Sequence, residues 1–348
     1  MPVSQTPVLV TGATGFVAAE LVKQLLAAGY RVRGTTRDVE AAKRRGELTS
    51  LKGAGERLEL VQANLNHPGA FTEHMDECEY VMHTASPYTL AVEDPQRDLV
   101  DPALNGTLSV LESAASTPSI KRVVLTSSFA AISGGPRTGS FDESDWNTRS
   151  TLEDGPYAYS KTVAERAAWD FMQTAARRFD LVVVNPTGVI GPSIVDRVNQ
   201  THEFMIGMTN GQAPAIIDIG FPVVDVRDVA NAHIQAMETE TASGRYLLSA
   251  DSPKVRRYVE IMREEGMDQK YKLPKVGLDN PIGSVIVRGL MAFQPKGVRE
   301  FVTENLGAEF SLNTTKAETE LGMVWSSTDD AIRDQARFLD TKGHLGKK

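Results

Sequence analysis

The stretch "PVLVTGATGFVAAELVKQLLAAG", residues 7–29, decides the fold. It opens with a short apolar run, PVLVT (7–11). It then places Gly12, Gly15 and Ala18 in the turn that leads into a helical pattern. Leu21, Val22, Leu25 and Leu26 fall on one side of that helix, and Gly29 closes it. The spacing is G-x-x-G-x-x-A and not G-x-G-x-x-G, but the physics is shared. Glycine lets the backbone turn tightly and approach a pyrophosphate. The first helical turn offers unpaired N–H groups and a partial positive charge. Gly15 has no β-carbon where a phosphate would pass, and Ala18 is small enough for the helix to lie on the strand. A strand, a glycine turn and a helix in this order predict the first βα unit of a dinucleotide-binding sheet.

The rhythm repeats along the first half of the chain. YRVRGTT (30–36), LELVQAN (58–64), EYVMHTA (79–85), RVVLTSS (122–128) and LVVVNP (181–186) read as further strands. Helical patterns separate them around 38–51, in HPGAFTEHM behind Pro68, from about 95 to 115, and from YAYSK to about 178. Strands alternating with helices predict an α/β fold: a Rossmann-type, doubly wound parallel sheet covered on both faces. After Pro186 the rhythm breaks into segments punctuated by glycine and proline. A helix at 227–238 and the strand GRYLLSA (244–250) rejoin the sheet. The expected division is a nucleotide-binding domain over 1–186, with 223–250 returning to it. Residues 187–222 and 251–348 form a smaller, interleaved substrate-binding region.

Composition narrows the function classes. The 348 residues are 41% hydrophobic and 24% charged, ordinary for a globular enzyme. Acidic residues outnumber basic ones, 45 to 37, for a net charge of −8, and no basic run or Cys/His cluster appears. Neither nucleic acid nor a metal is expected as a partner. Cys78 is the one cysteine, so no disulfide framework exists and an inert thiol in a reducing compartment is expected. The start MPVSQTPVLV has no basic region or cleavage-site pattern, and no apolar run of about 18 residues occurs. A soluble, cytoplasmic protein, monomeric or homodimeric, is the expectation.

Three motifs carry chemistry. The second strand ends in GTTRD, where a carboxylate would bind a ribose 2′-hydroxyl and repel a 2′-phosphate. Arg37 stands there instead, and an arginine pairs with phosphate. Arg44, in the next helix, adds a second cation, and Asp38 suits a helix cap. This favours NADP(H) over NAD(H). LTSSF closes the fifth strand, placing Ser127 and Ser128 at the edge where parallel sheets bind ligands. Either hydroxyl can hydrogen-bond a carbonyl oxygen. Finally, YAYSK places Tyr157 and Lys161 one helical turn apart. A free tyrosine has a pKa of about 10, and a neighbouring ammonium pulls it down toward the range useful for acid catalysis of carbonyl reduction. Each motif alone is weak; their convergence on one crevice is the argument.

TGATGFVA, TSSFAA and YAYSK, in this order, resemble the extended short-chain dehydrogenase/reductases from about residue 7 to 340. NPTGVIGP, VVDVRDVANAH and SLNTTKAETELGM extend the likeness. HTASPY and FDESDW narrow it to the branch of dihydroflavonol 4-reductase, cinnamoyl-CoA reductase and microbial NADPH-dependent aldehyde and ketone reductases. The resemblance implies that Ser128 orients the carbonyl, Tyr157 donates the proton, and Lys161 holds the nicotinamide ribose. By the same likeness Thr11, Gly12, Gly15, Phe16 and Val17 contact the diphosphate region, and Arg37 and Arg44 the 2′-phosphate. Asn64 and Leu65 flank the adenine, Thr84, Ala85 and Ser86 run under the ribose, and Pro186 and Thr187 reach the nicotinamide amide.

Three departures stand out. Asn64 replaces the usual Asp; an amide oxygen still accepts. Pro102 and Ala103 stand where many extended members carry an Asn, so no fourth catalytic residue is assigned. GPYAYSK lacks the Trp-Tyr-Cys version of the tyrosine motif found in cinnamoyl-CoA reductases, which argues against that substrate.

The expected activity is NADPH-dependent reduction of a small to medium, partly apolar or aromatic aldehyde or ketone. Tyr88, Phe129 and Phe204 are candidate pocket walls, shaped by 133–155, 86–88 and 187–222. A nucleotide-sugar epimerase or dehydratase, a hydroxysteroid dehydrogenase and an NADP-sensing binding protein remain the alternatives. His83 and His233 lie on apolar stripes and read as core histidines. Trp146 reads as loop packing, and Asp225, Arg227 and Asp228 as a charged cluster at a helix start.

Overall fold

Short apolar runs predict parallel strands, and a computed structural model of residues 6–67, 69–86, 93–136, 139–174, 179–292 and 296–346 shows them, largely buried except for the half-exposed edge strand at 58–62. They are β1 (Pro7–Val10), β2 (Arg31–Thr36), β3 (Leu58–Gln62), β4 (Tyr80–His83), β5 (Arg122–Thr126), β6 (Asp180–Pro186) and β7 (Gly244–Leu248). The spatial order is β7-β6-β5-β4-β1-β2-β3, and every neighbouring pair is parallel. The chain therefore reverses its direction of travel across the sheet between β1 and β4. In doubly wound sheets that switch point is where the ligand crevice opens.

Helices cover both faces. On one lie α1 (Phe16–Ala27) and α6 (Val226–Glu238); on the other lie α3 (Asp101–Ser116) and α4 (Pro156–Thr174). Between the two pairs in chain order come α2 (Val39–Arg45) and α5 (Gln200–Thr209). Leu21, Val22, Leu25 and Leu26 bury the inner stripe of α1 against the sheet. Gly29, at φ 95°, then turns the chain into β2. Asp225 caps α6 by accepting from Arg227 N, and the Arg227 guanidinium bridges Asp225 to Asp334. That cluster holds the fold and lies away from the crevice.

A second apolar cluster gathers α5, α7 (Val255–Glu264) and α8 (Thr328–Thr341) around Met205, Tyr258, Ile261 and Ile332. Two small parallel pairs, Gly188–Ile190 with Val223–Asp225 and Ala215–Ile217 with Val276–Leu278, brace it. Ser311–Leu312 pairs with Ser140–Phe141 inside the long loop after β5, a contact between segments far apart in the chain.

Three boundaries differ from the sequence expectation. The helix expected over 38–51 ends at Arg45, because Gly46 turns left-handed at φ 76°. HPGAFTEHM forms turns and no helix among the described residues, Pro68 lying outside them. Gly69, at φ 73°, breaks the right-handed path, and Phe71 and Met75 anchor the turns in the core. The helix expected over 95–115 begins with five π-helical residues, Gln96–Val100, before the α-helical geometry sets in.

Close approach also shapes the glycine turn from below. A β-carbon on Gly34 of β2 would stand 2.8 Å from Ala13 Cβ and 3.2 Å from Leu60 Cδ2. Only hydrogen at this position lets the turn lie on β2. Gly34→Val should overpack the site and destabilise the protein by about 1–3 kcal/mol. The denaturation midpoint in urea measures it; an unchanged midpoint would show that the turn has slack.

Candidate active site

The crevice is a single large cleft along the carboxyl ends of the strands. Its floor begins at the glycine turn. Gly12 takes φ 64°, and a β-carbon there would meet Ala85 Cβ at 3.0 Å. A β-carbon on Gly15 would stand 3.1 Å from Gly12 O. Helix α1 starts at Gly15 with no side-chain cap and no acidic residue in its first turn. Its first N–H groups therefore face the cleft with a net positive end, a fit for a diphosphate.

Of the residues singled out from the sequence, Gly12, Gly15, Phe16 and Val17 line this end, with Arg37, Asn64 and Leu65 farther along. Thr84, Ala85, Ser86, Pro186 and Thr187 line its middle. Ser128, Phe129, Tyr157, Lys161 and Phe204 line the rest. Tyr88 lies outside the described residues.

Two residues named from the sequence, Thr11 and Arg44, are not among those lining the cleft. Thr11 is fully buried beneath the cleft. Its hydroxyl accepts from the N–H groups of Thr84 (3.1 Å) and Ala85 (3.0 Å) and donates to His83 Nδ1 (2.9 Å). It staples the ends of β1 and β4 together and contacts no cleft space. Arg44 is outside the cleft, whereas Arg45, one residue on, borders it; both are exposed, and Arg45 Nε pairs with Glu47 Oε2 at 3.3 Å. One residue is about a 100° turn on a helix, enough to change which arginine borders the cleft. Asp38, also at the cleft, accepts from Ala41 N at 2.8 Å and so caps α2.

The reactive end is built from β5 and α4. Ser127 is buried, with its hydroxyl donated to Glu165 Oε2 at 2.5 Å. Ser128, the next residue, points to the opposite side, into the cleft, as alternation along an extended chain requires. Its Oγ accepts from Ala130 N at 3.1 Å, which leaves the hydroxyl hydrogen to donate outward. Lys161 Nζ donates to Ser86 Oγ at 2.9 Å and lies 5.9 Å from the centre of the Tyr157 ring. Burial pushes the Lys161 ammonium down to about 8, while the Glu165 charge holds it up.

Two of the buried histidines, His83 and His233, are held neutral by burial. Burial pushes His83 down to about 3, with the Lys161 charge adding to the effect, and His233 down to about 4. His233 donates Nδ1–H to Val229 O at 2.7 Å, so its Nε2 accepts from Thr126 Oγ1 at 2.6 Å.

Sequence reasoning passed over several residues here. Phe310 meets Phe129 edge-on at 6.2 Å, and Phe221 and Tyr258 meet Phe204 at 5.8 and 5.4 Å; all three line the cleft. Nothing local in the chain marks them. Glu165 had a signal: it follows Lys161 by four residues, an acidic side chain on the inward stripe of α4.

Comparison with known proteins identifies the family and the fold. Residues 8–248 match the model of the "NAD dependent epimerase/dehydratase family". The chain belongs to that family. Within these extended short-chain dehydrogenase/reductases it falls in the branch of dihydroflavonol-type and carbonyl reductases, and it is an oxidoreductase. A cinnamoyl-CoA reductase, CAD2, of Medicago truncatula is 44% identical over 266 residues, covering 74% of this chain and 80% of that protein. Cinnamoyl-CoA reductase 1 of Petunia hybrida is 41% identical over 348 residues, covering 99% and 95%. The crystal structure of Gre2 in complex with NADPH from Candida albicans superposes with a TM-score of 0.79 at 28% identity, covering 97% and 99%.

The histidines give this site a pH signature. Each binds its proton at about 6.5 when unfolded and far lower when folded. The unfolded chain therefore takes up more protons, and stability falls as pH drops from 6.5 toward about 4. Urea midpoints across that window should decline, and His233→Gln should lessen the decline; a flat profile in the wild type would contradict neutral burial.

Proposed function

We propose that this enzyme uses NADPH to reduce an aldehyde or ketone to the alcohol. The observation that carries the reading is the meeting of an uncapped helix start, Ser128, Tyr157 and Lys161 in one cleft. The cofactor is NADP(H). The N–H groups around Gly12, Gly15, Phe16 and Val17 would hold its diphosphate. Arg37 and Arg45 would hold the 2′-phosphate, Asn64 and Leu65 the adenine, and Thr84, Ala85, Ser86 and Lys161 the ribose. Pro186 and Thr187 would meet the nicotinamide amide. When bound, the cofactor supplies the hydride.

The side chains handle the oxygen. Ser128 donates its free hydroxyl hydrogen to the carbonyl oxygen and polarises it. Tyr157 delivers its phenolic proton to the same oxygen as the alcohol forms. The Lys161 ammonium, one turn away, stabilises the phenolate left behind. The substrate is a small to medium aldehyde or ketone with an apolar or aromatic body, matched by the edges of Phe129 and Phe310 on one wall and Phe204, Phe221 and Tyr258 on the other. A second reading, reduction of a CoA thioester, is favoured by the names of the two relatives above. In this proposal residues 1–186 with 223–250 bind the cofactor and the remainder shapes the substrate site, in a cytoplasmic monomer or homodimer.

NADPH and NADH oxidation against aldehydes, α-diketones, β-ketoesters, flavanonols and a cinnamoyl-CoA thioester tests the reading. Tyr157→Phe should lower kcat by about 10²–10⁴-fold while NADPH still binds within about threefold of the wild type. Turnover that survives this change would remove Tyr157 from the chemistry. Release of free thiol with the thioester alone would favour the second reading.

The two arginines give a separate test. Arg45→Ala should weaken NADPH binding by about tenfold, the scale of one charge-assisted phosphate contact, and leave NADH unchanged. Arg44→Ala should leave both cofactors within about twofold. Equal losses in the two variants would put the 2′-phosphate elsewhere.

A further inference from the structure

Helix α4 presents Tyr157 and Lys161 to the cleft, and one turn beyond them the same stripe reaches Glu165. The Glu165 side chain is wholly enclosed. Four donors converge on its carboxylate. Ser127 Oγ reaches Oε2 at 2.5 Å and Asn185 Nδ2 reaches it at 2.7 Å. Arg245 Nε reaches Oε1 at 2.5 Å, and Trp169 Nε1 reaches it at 3.4 Å.

The addresses of these donors matter more than their number. Ser127 is bonded directly to Ser128. Asn185, on β6, also donates to the Ser128 carbonyl at 3.2 Å. Arg245, on β7, donates onward to the carbonyls of Glu143 (2.9 Å) and Asp145 (2.6 Å) and stacks over Trp146 at 4.0 Å. One side chain of the Tyr157–Lys161 helix thus ties down three adjacent strands and the long loop after β5. Behind Lys161, a pocket with room for about one water is lined by Glu165, Ser127, Thr107, Ser86 and His83.

We propose that Glu165 is a positioning residue for the reductase reaction. It locks the Ser128 turn to the helix of Tyr157 and Lys161 and provides the counter-charge behind the Lys161 ammonium. The inference rests on the reductase reading above. An ion pair serving the fold alone would need only Arg245, whereas here two of the four donors hold Ser128 from either side. The groups facing Lys161 leave Glu165 as the negative charge among those lining the pocket. From β4 comes the neutral His83, from α3 the uncharged Thr107 and from β5 Ser127. From its own helix come Tyr157 and Glu165, with the cationic Arg245 on the far side of Glu165.

The sign of the electrostatic effect follows. Burial lowers the Lys161 pKa and Glu165 raises it. Neutralising Glu165 lets the ammonium lose its proton at lower pH, so the alkaline fall in kcat moves down the pH scale.

The experiment measures NADPH oxidation with the best carbonyl substrate of the panel between about pH 6 and 9, for wild type, Glu165→Gln, Glu165→Asp and Ser127→Ala, with melting temperatures alongside. Glu165→Gln should lose about 10–100-fold in kcat, keep its KM for NADPH within about threefold, and shift the alkaline limb down by about one pH unit. Glu165→Asp keeps the charge and should keep the limb where the wild type has it. Ser127→Ala should lose about three- to tenfold in kcat, the worth of one hydrogen bond, without moving the limb.

A Glu165→Gln enzyme that melts lower but retains the wild-type kcat and pH profile overturns the proposal. If Glu165→Gln does not fold, Ser127→Ala decides: a lowered kcat at an unchanged melting temperature supports the positioning role, and a wild-type kcat overturns it. A wild type that binds NADPH but reduces no member of the panel overturns the reductase reading and this inference with it.

Discussion

Parallel pairing brings the carboxyl ends of all seven strands to one edge, and the functional geometry hangs on that constraint. Gly12 follows β1, Arg37 follows β2, Asn64 follows β3 and Ser86 follows β4, while Ser128 follows β5 and Thr187 follows β6. The ladders leave little slack. Val10 pairs with Gly34 on one side and Met82 on the other, and Thr126 pairs with Val184. A slip of one residue would turn Ser128 inward and Ser127 outward, because side chains alternate along each strand.

What holds the edge together is a set of buried polar groups that satisfy one another. Thr11 closes the switch point by receiving two backbone N–H groups from the chain beyond β4 and donating to His83. Glu165 and Arg245 do the same between β5, β6, β7 and α4. Removing one partner from such a network strands a charge or a donor away from water, which costs more than the hydrogen bond itself contributes. The apolar core supplies the bulk of the stability, while these groups set the relative position of the elements that meet at the cleft.

Much of this was legible in the chain. The alternation of short β-branched runs with helical stripes predicted the strands and helices of the sheet, because burial on both faces demands it. Gly12 and Gly15 announced the turn through their lack of a β-carbon, and Tyr157 and Lys161 announced a shared helix face through their spacing. Arg44 was named from the sequence whereas Arg45 borders the cleft, since helical phase near a short helix end depends on where that helix begins. HPGAFTEHM was misread because its outcome rests on the left-handed Gly69 and on buried anchors for Phe71 and Met75.

By itself, then, the sequence determined the class of fold, the glycine turn and the tyrosine–lysine pair, all of which depend on periodicity and backbone sterics within about thirty residues. Only the tertiary structure decided that Ser127 turns its hydroxyl to Glu165, that Arg45 borders the cleft, and that Glu165 joins Ser127, Asn185 and Arg245 in one buried cluster. It also decided that Phe310 packs edge-on against Phe129, and Tyr258 against Phe204, in the lining of the cleft. Those residues are up to 181 positions apart, as for Phe129 and Phe310. No local pattern links them; they meet because the sheet order and the return of the C-terminal region close the chain on itself.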